Sequence, residues 1–77
     1  MNDKVKAILA REWDVSPLEI PDTAALNQFE KWDSLGHIKI MLALEEELDL
    51  VLDPDVVQSL SSLPKIVAHL EGLAAHV

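Results

Sequence analysis

The sequence contains no cysteine, and it has only two glycines and three aromatic residues besides histidine (Trp13, Phe29 and Trp32). Without cysteine the chain can form neither a disulfide nor a thiolate metal site, so any thiol chemistry needs sulfur from an attached group. No apolar run approaches transmembrane length, and the first residues lack a signal-peptide pattern. These absences predict a soluble, cytoplasmic protein that does not insert into membranes.

Basic residues are also scarce, with 6 lysines and arginines against 14 aspartates and glutamates, which gives a net charge of −8. Nucleic-acid binding requires a basic surface, so this class of function is excluded. The acids concentrate in a stretch without any base, at Glu45, Glu46, Glu47, Asp49, Asp53 and Asp55. Such a stretch is typical of either a solvated face or a docking patch for partners that present lysine and arginine.

The spacing of apolar residues predicts an all-α fold, because no segment alternates in the way that strands do. The 77 residues predict one small domain, 1–77. The last helix is predicted to bury Leu63, Ile66, Val67, Leu70 and Leu73. The predicted helices run from about Asp3 to Trp13, from Asp33 or Ser34 to about Asp49, from Pro54 after an Asp53 cap, and onward from a cap at Ser61 or Ser62. Three main helices and a short third helix make a small four-helix bundle.

A long loop, residues 14–32, separates the first two predicted helices. Ser16-Pro17 predicts a break, because the residue before proline avoids the helical region. A structureless loop of this length is unusual in a small domain, so a short helical turn is expected within it. Trp13 and Trp32 flank the loop and are predicted to pin it to the bundle. Its other predicted anchors are Val15, Leu18, Ile20, Leu26 and Phe29.

The second helix carries two apolar stripes when its residues are placed at about 100° per residue. The first stripe is a core face that consists of Ile40, Met41, Leu44 and Leu48, with His37 inside it. The second apolar stripe consists of Leu35, Ile38 and Leu42, and Ser34 lies at the edge between the two. The sequence leaves two possibilities open for this second stripe. Either the long loop covers it, or it is an exposed docking surface ringed by carboxylates.

The segment "DSLGHIKIMLALEEEL", residues 33–48, resembles the signature of acyl carrier proteins. In that family Asp-Ser-Leu opens the second helix and Ala-Leu-Glu-Glu follows, as it does here at residues 43–46. The chain length, the acidic balance, the long first loop and the short third helix also match. The resemblance implies that Ser34 carries a 4′-phosphopantetheine arm from coenzyme A, whose thiol holds an acyl group as a thioester. The alternative for Ser34 is a simple helix cap.

The same resemblance implies roles for further residues. Asp33 and Leu35 would be read by the phosphopantetheinyl transferase that installs the arm. Acyl-transferring and acyl-modifying enzymes with basic docking patches would contact Ile38, Leu42, Glu45 and Glu46. Leu52, Val57 and Leu60 match positions that line the cleft for the arm or its cargo in that family. Packing in the core explains these three residues equally well. The protein would be a free-standing, monomeric carrier for fatty-acid, polyketide or related biosynthesis, and not a catalyst.

Three positions depart from the family's pattern. Lys31-Trp32 precede Asp33 where a glycine is common, Gly36 stands where an acid is usual, and Lys39 occupies a place that is often acidic. This "WDSLGHI" form is similar to discrete carriers outside housekeeping fatty-acid synthesis. The departures therefore bear on the identity of the partners more than on the chemistry.

The same residues allow interpretations other than a carrier. Ser34 and His37 lie about 60° apart on the helix, and no Gly-x-Ser-x-Gly elbow is present, so a hydrolytic dyad is disfavoured. His37, His69 and His76 lack the paired spacing of metal ligands, and no metal site is predicted. Two alternatives stay open: a peptidyl or aminoacyl carrier of a nonribosomal pathway, and an unmodified acidic helical interaction module.

The charge imbalance leads to a first prediction. We expect moderate salt or divalent cations to raise the Tm, because the acidic residues repel one another and counterions screen that repulsion. Thermal melts followed by circular dichroism at low and moderate ionic strength measure the effect. A Tm that stays flat or falls as salt is added contradicts the prediction.

Overall fold

The computed structural model describes residues 2–74, without the side chain of residue 74, and arranges them as four helices. The helices are α1 (Asn2–Trp13), α2 (Ser34–Leu48), α3 (Pro54–Ser59) and α4 (Leu63–Ala74). The all-α prediction, with three main helices and a short third, is confirmed. None of the described helices is long and apolar enough to cross a membrane. The two ends of the predicted 1–77 domain and the His76 position lie outside the described residues.

The core is formed mainly by the predicted faces of three helices. From α1 it takes Val5, Ile8 and Leu9, joined by Ala10 and Trp13; from α2, Ile40, Met41, Ala43 and Leu44; and from α4, Leu63, Ile66 and Leu70. Leu48 and Val67 pack against this core at its margin. The predicted face of α4 was wrong at Leu73, which is 45% exposed, because the core ends at Leu70, one turn earlier.

The start of α2 is defined by an aspartate cap. Asp33 has extended backbone geometry, and its carboxylate accepts a hydrogen bond from the Gly36 amide at 2.7 Å. Asp33 is therefore the N-cap and Ser34 the first helical residue, which resolves the two predicted starts. Asp49 ends the helix in the left-handed conformation and donates its amide to the Glu45 carbonyl, close to the predicted end.

The caps of the last two helices follow the predicted positions with one difference. Asp53 precedes Pro54, as predicted, but its side chain makes no capping hydrogen bond within the described residues. Its backbone carbonyl accepts from the Val57 amide instead, at 2.9 Å. Ser62, of the two predicted serines, caps α4, since its hydroxyl accepts from the Lys65 amide at 3.3 Å.

The long loop is ordered by a short turn and by backbone pairing with the start of α4. Its one-turn 3-10 helix spans Pro17–Glu19, which confirms the expected helical turn. Ala25 and Ser62 form a single antiparallel bridge. Beside it, the Leu63 amide donates to the Ala24 carbonyl at 2.8 Å. The loop is thus held against α4 by main-chain bonds that do not depend on side-chain identity.

Four of the five predicted loop anchors reach the core. Ile20 is buried, and Val15, Leu26 and Phe29 pack partly buried against the core. Leu18 was predicted wrongly as an anchor, because it is 97% exposed. It occupies the middle of the 3-10 turn, and a single turn directs only part of its side chains inward, whereas Ile20 at the end of the turn faces the core.

An ion pair ties the loop to α1. Lys6 donates to the Asp22 carboxylate, and Asn2 donates to the same oxygen at 3.3 Å. The hydrogen bond from Lys6, assisted by that from Asn2, lowers the pKa of the Asp22 carboxyl group. Because this pair is solvent-exposed, it contributes to the position of the loop more than to stability.

Candidate functional site

An aromatic cluster of Trp13, Phe29 and Trp32 holds the first turns of α2. The Trp13 ring lies 5.5 Å from that of Phe29 and 5.3 Å from that of Trp32, centroid to centroid. Trp13 Nε1 donates to the Gly36 carbonyl at 3.2 Å, and Trp32 Nε1 donates to Nδ1 of His37 at 2.9 Å. The two tryptophans therefore pin the loop to the bundle, as predicted, and both do so at the helix start that contains Ser34.

Gly36 is required by the close approach of the loop to α2. A Cβ atom at this position would stand 2.1 Å from the Lys31 carbonyl oxygen and 3.1 Å from Nε1 of Trp13. The first of these contacts is with backbone, which cannot rotate out of the way. Glycine at this position thus has a packing cause, which the sequence alone did not reveal.

Ser34 is exposed at the first position of α2. Since Asp33 performs the capping, the hydroxyl of Ser34 is not needed for that role, and the simple-cap alternative loses its basis. The amides at a helix N-terminus and the helix dipole favour an attached phosphate group. An exposed hydroxyl at this end of the helix therefore fits a phosphodiester link.

The second apolar stripe is exposed to solvent. Leu35 is 65%, Ile38 54% and Leu42 58% exposed. The long loop packs elsewhere, on the core and the start of α4, so it does not cover the stripe. Of the two possibilities left by the sequence, the exposed surface is the one observed. An exposed stripe with glutamates beyond it has the composition of a docking surface.

The three consecutive glutamates of α2 have different surroundings. Glu45 is half-buried and accepts the Leu52 amide at 2.9 Å. Glu47 accepts Nη2 of Arg11 at 2.6 Å, and this contact raises the pKa of Arg11. Glu46 is exposed, and its side chain forms no hydrogen bond or ion pair within residues 2–74. Its charge is therefore the one of the three that is fully available to another molecule.

His37 links the loop to α3 through both nitrogens of its ring. Because Nδ1 accepts from Trp32, the proton resides on Nε2, which donates to the Val57 carbonyl at 2.7 Å. Both nitrogens are thus engaged, and neither is left to activate the hydroxyl of Ser34. This geometry argues against the hydrolytic dyad on grounds independent of the missing sequence motif.

The three predicted cleft positions lie before, in and directly after α3, and they differ in burial. Leu52 and Leu60 are buried in the core. Val57 is half-buried, and its carbonyl is the acceptor for His37. Core packing accounts for the side chains of Leu52 and Leu60, and the role of all three toward a bound arm stays a prediction. Within residues 2–74 no three histidine, aspartate or glutamate side chains gather into a possible metal site.

An open polar cleft of about 380 Å³ lies on the α1 side of Ser34. It is bordered by the end of α1, the end of the long loop and the first turns of α2. Its charged lining consists of the acids Glu12, Asp14, Glu30 and Asp33 and the bases Lys31 and Lys39. One residue from each of the three departures noted in the sequence thus borders this cleft beside the predicted attachment residue: Lys31, Gly36 and Lys39.

Comparison with known proteins assigns the chain to a family. The family described as "Phosphopantetheine attachment site" matches residues 3–70. The chain is 24% identical over 71 residues to the acyl carrier protein of Sulfurovum sp. (strain NBC37-1), with 92% of this chain and 95% of the relative covered. It is 26% identical over 73 residues to the acyl carrier protein of Thermosynechococcus vestitus (strain NIES-2133 / IAM M-273 / BP-1), with 95% and 90% covered.

The matched family defines a class of protein domains that bear a phosphopantetheine attachment site. Because the match spans nearly the whole chain, and both relatives align over almost their full lengths, the resemblance seen at residues 33–48 extends to the entire fold. The chain belongs to the acyl carrier protein family. Its cofactor is 4′-phosphopantetheine, as the sequence predicted.

The packing of Gly36 leads to a matched pair of substitutions. We expect Gly36→Ala to lower the free energy of unfolding by about 1–3 kcal/mol, because the new methyl group collides with the Lys31 carbonyl. Gly72, exposed on α4 with open space around it, is the control. There the same change should stabilise by up to about 1 kcal/mol through helix propensity. Urea denaturation measures both, and equal effects at the two sites would contradict the steric account.

Proposed function

We propose that Ser34 is the attachment residue for 4′-phosphopantetheine and that the protein is a monomeric, cytoplasmic carrier of acyl intermediates. The observation that supports this most is the exposed hydroxyl at the first residue of α2, left free of capping by Asp33. It lies within the region matched by the phosphopantetheine-attachment family. The pathway proposed is fatty-acid, polyketide or related specialised biosynthesis.

The residues around Ser34 have distinct tasks in this proposal. Asp33 holds the first turn in place by binding the Gly36 amide, and exposed Leu35 offers an apolar contact to the transferase. When bound, the group supplies the thiol that holds the cargo as a thioester, which a chain without cysteine lacks. The protein's own residues present the cargo and do no chemistry on it. An arm of this kind raises the effective concentration of cargo at a docked enzyme.

The second apolar stripe and the acids that follow it are proposed to form the docking surface. Ile38 and Leu42 supply exposed apolar area, and Glu46 follows Leu42 by one helical turn with its charge unpaired within residues 2–74. Glu45 contributes through the carboxylate oxygen that does not bind the Leu52 amide. Basic patches on the transferase and on acyl-transferring and acyl-modifying enzymes complement this surface, and such contacts favour fast, salt-sensitive encounter.

Mass spectrometry after enzymatic loading tests the attachment. Incubation of the apo protein with coenzyme A and a broad-specificity phosphopantetheinyl transferase should add one phosphopantetheinyl group to the wild type and none to Ser34→Ala. Ser59→Ala, at an exposed serine of α3, is the matched control and should be loaded like the wild type. Loading that survives Ser34→Ala, or a wild type that gains no mass, would refute the proposal and favour the unmodified interaction module.

The unpaired charge of Glu46 can be tested separately. Glu46→Lys should lower kcat/KM of the transferase by about two- to fivefold at low salt, the range for an exposed ion pair of up to about 1 kcal/mol. Glu71→Lys, at an exposed position of α4, changes the net charge equally and controls for long-range steering. Equal losses for both variants, or a loss for Glu46→Lys that moderate salt leaves unchanged, would count against a local docking role.

A further inference from the structure

One row of α2 begins at Ser34 and reaches α3 through His37 and the segment before α3 through Glu45. The row, called here the α2–α3 seam, consists of Ser34, His37, Met41 and Glu45, whose spacings of three and four residues place them on one side of the helix. Met41 is buried, and His37 is only 7% exposed. The attachment residue proposed above thus stands at the open end of a row whose next members turn inward.

Two hydrogen bonds close the α2–α3 seam. Nε2 of His37 donates to the Val57 carbonyl at 2.7 Å, next to Ser34, and the Leu52 amide donates to Glu45 at 2.9 Å, two turns farther along. None of the residues of α3, all of which the structure describes, is fully buried. A helix with so little buried surface depends on such bonds for its position, so His37 keeps α3 against α2 at the end nearest Ser34.

The ring of His37 is held firmly in this place. It stacks on the buried Trp32 ring, with centroids 6.1 Å apart and planes 18° from parallel. Moving it aside would leave the indole N–H of Trp32 and the carbonyl of Val57 without their partners, and unpaired buried polar groups are costly. Among residues 2–74 every buried side-chain nitrogen and oxygen has a partner, so the closed arrangement is fully satisfied.

Unlike the α3 side, the surface on the α1 side of Ser34 is open, and it carries charged side chains. The cleft bordered by Asp33, Gly36 and Lys39 is accessible and lined by both acids and bases. A group that leaves Ser34 toward α3 meets the bonded imidazole, whereas one that leaves toward α1 meets a polar surface. The α3 side of Ser34 is therefore closed by a hydrogen-bonded imidazole, whereas the α1 side is open.

We propose that His37 is a specificity-determining residue that closes the α2–α3 seam to the cargo, so that this carrier holds its acyl group outside the bundle. The class of cargo that suits such a carrier is short or polar acyl groups, which lose little by remaining in water. The inference rests on the attachment at Ser34 proposed above. His37 acts on the cargo by exclusion and takes no part in the chemistry of the thioester.

Thioester protection across a series of chain lengths tests the inference. The apo protein is loaded from acetyl-, hexanoyl- and decanoyl-coenzyme A, loading is verified by mass, and cleavage by hydroxylamine is timed. Burial of each methylene group shifts the equilibrium between the exposed and the sheltered acyl chain by about fourfold. The thioester of a sheltered decanoyl chain would therefore be cleaved more than about tenfold more slowly than the acetyl thioester. For the wild type we expect the three rates to agree within about twofold, which corresponds to about 0.4 kcal/mol.

The variant His37→Ala removes the closing side chain. It should protect the decanoyl thioester more than about tenfold relative to acetyl, because its shorter side chain opens the seam to apolar groups. His69→Ala makes the same change at a half-buried histidine of α4 and should behave like the wild type. Circular dichroism verifies that each variant is folded. If His37→Ala does not fold, the chain-length series on the wild type alone decides whether the cargo stays outside the bundle.

A second readout does not involve the thioester. The chain has two tryptophans, so the indole N–H signals of Trp32 and Trp13 can be followed by NMR. The Trp32 signal should stay in place when the wild type is loaded with decanoyl cargo and should move in His37→Ala even without cargo, with Trp13 as the reference.

The outcomes separate the inference from the proposed function. If the wild type protects longer chains, or if a folded His37→Ala gains no protection, the inference is overturned and the attachment at Ser34 stands. If no acyl group is transferred to the wild type, the proposed function fails and the inference fails with it. Equal rates in the wild type, together with a chain-length effect in His37→Ala alone, support both.

Discussion

The geometry of the site depends on two hydrogen bonds from indole rings to the first turns of α2. Trp13 and Trp32 are far apart in the sequence, one on each side of the long loop, yet both donate to adjacent residues, Gly36 and His37. Together they fix where the loop ends and where the helix begins. Because Ser34 lies between the loop and these two acceptors, its position follows from packing in the core and not from contacts of its own.

The helix α2 contributes residues to three different surfaces. One side builds the core, the second apolar stripe is exposed to solvent, and the α2–α3 seam meets the short third helix. Ser34 lies where these surfaces converge, at the end of the helix that favours an anionic group. An amphipathic helix normally divides into an apolar and a polar side; here a second apolar stripe stays exposed, and packing of the core does not account for it.

The parts of the fold that depend on local patterns were predictable from the sequence. Helix periodicity, the caps at Asp33 and Ser62 and the end at Asp49 are signals that neighbouring residues provide. The exposure of Leu18 and Leu73 was not predictable, because hydrophobicity alone does not say how far a core extends. Of the candidate site, the position of Ser34 at the start of α2 and the second apolar stripe were predictable from the sequence, and the roles that the family resemblance gives them stay predictions.

The contacts that give the site its shape could not be predicted in the same way. The approach of the Lys31 carbonyl to Gly36 and the bond between Glu45 and the Leu52 amide join residues through the path of a loop, which no period in the sequence encodes. The bond from His37 to Val57 joins two helices for the same reason. A histidine within an apolar face indicates burial, but its partners become visible only when the chain is folded.

Gly36 also limits what the first turns of α2 can present to another molecule. Two residues after Ser34 the packing of the loop leaves no room for a Cβ atom, so this position offers neither charge nor apolar area. Recognition of this end of the helix depends on the neighbours that stay exposed, Leu35 before Gly36 and Lys39 one turn later.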